Sequence, residues 1–127
     1  MSPAGQATFE AWPWPDSLDA LIAAPDHHSL LLEDSRVRVL HTKIPAGAVV
    51  PLHTHRWGGV AYVLSGSHFI RRDPDGKVLL DTREEAATRQ NHVAHWSKPL
   101  APHTVENVGQ SDISLLLFEM KDSASTT

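Results

Sequence analysis

The spacing of apolar residues changes once along this chain. Over "SLDALIAAP", Leu18, Leu21 and Ile22 recur at helical intervals and the run stops before Pro25. This predicts a single helix of about two turns, capped by Asp16. Before it, "WPWP" reads as an extended arm ending at Asp16, because proline restricts both itself and the residue ahead of it. From His27 onward the spacing becomes that of strands: "HHSLLLED", "RVRVLHTKI", the run from "PLHTH" through "VAYVLSGSHFIRR", "KVLLDT", "VAHWS", "TVENVGQSD" and "ISLLLFEMK" are short apolar runs separated by turn residues. "DPDG" is a strong hairpin signal between two of them. About seven or eight short strands and one helix predict an all-β fold, an antiparallel sandwich or barrel. The expected boundaries are an arm and helix over 1–26, a barrel over 27–121 and a frayed tail over 122–127.

Composition narrows the chemistry more than the fold. The chain has 127 residues, enough for one domain with a real core, and no cysteine. Thiolate metal sites, iron–sulfur clusters, disulfides and cysteine nucleophiles are therefore excluded. A net charge of -4 with interspersed signs gives no footprint for nucleic acid. No apolar run approaches membrane-spanning length and "MSPAGQATFEAWPWPDSL" lacks the pattern of a secretory signal, so the expected location is cytoplasmic, without membrane attachment. The aromatic arm "EAWPWP" and unprotected sheet edges lead us to expect a homodimer.

Nine histidines raise the prior for metal or proton chemistry. In "PLHTHRWGGVAYVLSG", His53 and His55 alternate with Leu52 and Thr54, so strand geometry points both imidazoles to one face. They form half of a metal site. His92 and His95 are expected at the surface or the cavity mouth, and His27, His28 and His41 at the surface or rim. The direction of His68, just after Gly66, is not readable from the sequence. Glu106 should face away from His103, and no pair of carboxylates lies in the strands that would line a cavity, which leaves acid–base chemistry little to use.

Gly47, His53, His55 and Gly66 stand at the intervals of G-x5-H-x-H-x3-E-x6-G, and His103 and Asn107 at H-x3-N. In these two motifs the chain resembles the cupin superfamily. The resemblance spans about Gly47 to Asn107 and implies a small jelly-roll barrel, a double-stranded β-helix. Two departures stand out. Gly59 occupies the place of the motif's glutamate ligand, and Pro99 and Pro102 replace the usual approach to the last histidine.

The resemblance thus implies a metal shell of His53, His55 and His103. Imidazole ligands suit a divalent transition metal such as Fe, Ni, Cu or Zn, and three protein ligands leave open positions. Cupins similar to this arrangement, among them thiol and diketone dioxygenases, hold Fe(II) with three histidines. One expected function is accordingly a metal-dependent, dioxygenase-like oxidoreductase of small-molecule metabolism. The other is a non-catalytic small-molecule or metal-binding module, and a metal-free barrel keeping its histidines as polar core residues is the third reading. Arg56, Trp57, Tyr62 and Trp96 are the expected walls and anchor of a substrate pocket. Glutamate at position 59 would be expected to restore a four-ligand shell.

Overall fold

The computed structural model describes residues 12–84 and 90–121. Nine strands lie among them: β1 His28–Glu33, β2 Val37–Ile44, β3 Val49–His55, β4 Gly59–Ser65, β5 Phe69–Arg72, β6 Val78–Asp81, β7 Val93–Ser97, β8 Leu100–Asn107 and β9 Ile113–Met120. They form two antiparallel sheets, β1-β2-β9-β4-β7 and β3-β8-β5-β6. The first part of the arm and the "DSASTT" tail lie outside the described residues. None of the described helices is long and apolar enough to cross a membrane.

Alternation decides which residues face inward. In β2, Arg38, Leu40, Thr42 and Ile44 are buried while their neighbours are less so. Ala24, Ile44, Val50 and Ile113 pack as a core cluster, flanked by Ala48, Phe69, Val105 and Leu115. The remaining space between the sheets is a cavity of about 600 Å3, a size that suits a small ligand.

Two motif residues act on the backbone. Gly47 adopts φ 85°, which glycine tolerates best, and its N–H donates to the Asn107 carbonyl at 3.0 Å, tying the turn before β3 to the end of β8. Asn107 is buried and fully engaged. Its amide donates to the carbonyls of Ile44 and Ser111, and its Oδ1 accepts from Ser67 Oγ and the Gly109 N–H. It is a clamp between loops.

The helix differs from its expected form. Asp16–Leu18 is a 3-10 turn, and a separate α-helix, α1, covers Ala20–Ala23. Asp19 caps α1 by accepting from the Leu21 N–H, whereas Asp16 makes no such contact within α1. The β1 strand begins only five residues after α1 ends, which leaves no chain for a longer helix. Trp12 and Trp14 pack edge to face, 4.8 Å between ring centroids.

Candidate metal centre

Strands β3 and β8 pair so that His53 and His103 are direct partners. The register shifts on both sides of His53, and each strand carries a proline two or one residues before its histidine, Pro51 and Pro102. A proline cannot donate to the ladder, and the shifts accommodate it while aiming the following side chains inward. His53, Thr54, His55 and His103 are all buried. The His53 and His103 rings lie 4.3 Å apart by centroid, and His53 and His55 5.0 Å apart.

A fourth imidazole joins them from the other sheet. His28, at the start of β1, is 5% exposed and its ring lies 5.0 Å from His53 and 5.4 Å from His55. Ligand nitrogens of His28, His53 and His55 all fall within 4.8 Å of one another. His103 stands beside this group, against the His53 ring.

Every one of the four rings is held by Nδ1. That nitrogen meets the Ala24 carbonyl in His28 at 3.0 Å, the Pro51 carbonyl in His53 at 2.7 Å and the Ala101 carbonyl in His103 at 2.7 Å. In His55 it meets Glu119 Oε2 at 2.8 Å. In His28, His53 and His103 the partner is a carbonyl oxygen, which only accepts, so Nδ1 carries the proton and the Nε2 lone pair is left for another partner; in His55 the ionised form of Glu119 sets the same tautomer. This is the tautomer that a metal-bound imidazole uses when an outer oxygen orients it.

Helix α1 supports two of these rings, one from each end. Its C-cap residue Ala24 supplies the carbonyl that holds His28. Its N-cap residue Asp19 forms a two-bond pair with Arg38, at 3.1 and 2.9 Å, and Arg38 in turn binds Glu119 Oε1 through Nε at 2.9 Å. Glu119 then positions His55. A chain of ion pairs therefore runs from the half-buried helix cap Asp19 through buried Arg38 and Glu119 to the imidazole cluster.

Burial sets the protonation state. It pushes the imidazoles of His53, His55 and His103 down to about 2, 3 and 3, with neighbouring imidazoles adding to the effect, and lowers His28 as well. All four are neutral at physiological pH, as metal ligands must be. Burial also raises the Glu119 carboxyl to about 7, against the pull of the Arg38 guanidinium.

No protein-family model and no curated protein sequence matches this chain. Solved structures do. A cupin domain from Bordetella pertussis Tohama I superposes with a TM-score of 0.59 at 16% identity, over 73% of this chain and 90% of that one. The chain is a cupin by fold. An RmlC-like cupin with a double-stranded β-helix fold from Methanocaldococcus jannaschii aligns at 9% identity and TM-score 0.49, over 73% of this chain and 79% of that one.

Set in this fold, the residues singled out from sequence divide. His53 and His55 group with His28, and the His103 ring lies 4.3 Å from that of His53 and 5.9 Å from that of His55. Trp57 and Trp96 line the cavity, Trp96 from an exposed position at its mouth. Arg56 does not reach the cavity: it is exposed, with its guanidinium over the Trp57 ring at 5.6 Å. Tyr62 does not line it either. Gly59, Val60, Ala61 and Val63 are the β4 residues that line it, and the Tyr62 ring lies 6.4 Å from that of His92. His95 lines the cavity from an exposed position, while His41 and His68 bind Ser114 and Thr82. Glu106 pairs with Arg72.

Two expectations need correction. His28 is buried in the imidazole cluster, not at the rim, because α1 packs over the start of β1 and hands it a carbonyl. Gly59 cannot be exchanged for glutamate, because a Cβ there would overlap the carbonyl of Phe118 on the paired strand β9. Residues not anticipated as part of the site are His28, Asp19, Arg38, Glu119 and Arg71. For Glu119 a signal existed: Ile113, Leu115, Leu117 and Glu119 share one parity in "ISLLLFEMK", so the acid belongs on the apolar face.

Proposed function

We propose that this cupin is a metal-binding protein of small-molecule metabolism that holds a divalent transition metal, Fe, Ni or Zn, at His53, His55 and His103. His28 supplies a fourth imidazole in place of the absent motif glutamate. The observation that carries this reading is the shared orientation of the four rings, each with Nδ1 tied to an oxygen and Nε2 left over. A divalent metal there supplies Lewis acidity and a place for a small molecule to bind. The chain's own residues hold the imidazoles neutral, orient them through Ala24, Pro51, Ala101 and Glu119, and enclose the ligand in an apolar cavity.

Oxidation of a small bound substrate, in the manner of a dioxygenase, is the catalytic form of this reading. Glu119 is the one carboxylate among the described residues that line the cavity, and it is committed to Arg38 and His55. Among the described residues the cavity offers no free carboxylate, and His95 reaches it only from an exposed position, which favours metal-centred redox chemistry or simple binding over proton-transfer catalysis. The reading is tested by metal analysis of protein purified without a nickel column, followed by Zn(II) titration of the wild type, His53→Ala, His103→Ala and His28→Ala. We expect about one metal per chain and a loss of about tenfold or more in affinity for each variant, within the range for disturbed metal sites. Zn(II) bound as tightly by His103→Ala as by the wild type would overturn it.

A further inference from the structure

Two buried polar atoms find no hydrogen-bond partner among the described residues, Arg71 Nε and Thr42 Oγ1, and both residues line the cavity. Buried polar groups are ordinarily satisfied, so a pair of orphans in one cavity points to a ligand. Arg71 lies on β5, at the inward parity it shares with Phe69, whose ring sits 5.7 Å from the guanidinium carbon. Its charge reaches the imidazole cluster, where it opposes protonation of His55 and His103. Thr42 is the register partner of His28. The two orphans therefore flank the imidazoles from opposite sheets. Glu119, the one carboxyl of the lining among the described residues, is already taken by Arg38 and His55.

We infer that the cavity takes a small organic carboxylate with an apolar body, its carboxylate bound by Arg71 and its body held by the apolar wall that includes Phe69, Leu115 and Leu117. The guanidinium fork matches a planar carboxylate, and a single cation suits a monoanion better than a phosphate. The Thr42 hydroxyl offers a second polar contact beside His28. This inference rests on the metal-centre reading only for where the acid lies relative to a metal; the pairing with Arg71 requires none.

The test is calorimetric titration of the full chain, metal-free and Zn(II)-loaded, with hexanoate, phenylacetate, the matching amides and inorganic phosphate. In both forms an acid should bind about tenfold or more tightly than its amide, the range for a charge-assisted contact. Arg71→Met should lose that preference while binding the amides as before, and Arg71→Lys should keep part of it. Because Arg71→Met removes a half-buried charge that has no ion-pair partner among the described residues, its thermal midpoint should stay close to that of the wild type, which shows the variant is folded. Acids bound no better than amides, an acid preference that survives in Arg71→Met, phosphate bound more tightly than either acid, or no acid binding at millimolar concentration would each overturn the inference. Wild-type protein that binds Zn(II) but shows no acid preference removes this inference alone. Acid preference in a protein that takes up no Zn(II) removes the metal centre alone.

Discussion

At the scale of single residues, Glu119 connects structure to chemistry. It is 3% exposed, holds His55 through one oxygen and receives Arg38 on the other. An outer carboxylate fixes ring orientation and raises ligand basicity, and its loss typically weakens metal binding about 10- to 100-fold. Glu119→Gln should therefore reduce Zn(II) affinity by about that factor while leaving His28, His53 and His103 in place. The metal-free protein should change little in stability, because burial already disfavours the ionised form of Glu119 and Arg38 keeps both of its bonds to Asp19. Titration and chemical denaturation of the same variant read both effects, and unchanged Zn(II) affinity would separate Glu119 from the centre.

At the scale of elements, the strands were largely legible and the helix was not. Period-two apolar runs and the "DPDG" turn mark β2, β5, β6 and β9 in the sequence, and the motif spacing places His53, His55 and His103 on paired strands. Leu18, Leu21 and Ile22 suggest continuous helical spacing, whereas Asp19 breaks the run to cap α1 and to bind Arg38. That tertiary contact, and the Ala24 carbonyl that draws His28 inward, depend on how α1 packs on β1, which no local pattern encodes. Gly59 is a further case. Missing as a ligand in the motif, it serves as a close-approach point between β4 and β9. Gly59→Ala should lower stability by at least about 3 kcal/mol, the upper end for overpacking. Urea denaturation measures it, and a neutral result would show that β9 can yield.

At the scale of the whole molecule, the imidazole cluster makes stability depend on pH. His53, His55 and His103 are held at about 2, 3 and 3, and His28 is lowered too, while an unfolded chain titrates these groups near about 6.5. Between those values the unfolded chain binds protons that the folded one does not. The contribution is thus fully present above about pH 6.5 and is lost as pH falls toward the folded values. Each such proton costs about 1.4 kcal/mol per pH unit. Glu119 works in the opposite sense: raised from 4.5 to about 7, its contribution is present at low pH and is lost as pH rises through about 7. One acid against four imidazoles leaves acid destabilisation as the net result. Thermal midpoints of the metal-free protein should fall steadily from about pH 6.5 to about 4, and the increment from added Zn(II) should shrink below about pH 6 as protons compete for ligands. A midpoint constant across that window would mean that the cluster is not buried as described.

We propose that four imidazoles drawn from two sheets converge on one metal through Nε2. X-ray absorption at the zinc edge, on protein loaded with one equivalent of Zn(II), tests it most directly because imidazoles can be counted from their ring scattering. The account predicts a first shell dominated by nitrogen at about 2.0–2.1 Å, with one imidazole fewer in each of His28→Ala and His103→Ala. A zinc spectrum that stays the same in both variants, or a first shell without imidazole scattering, would contradict it.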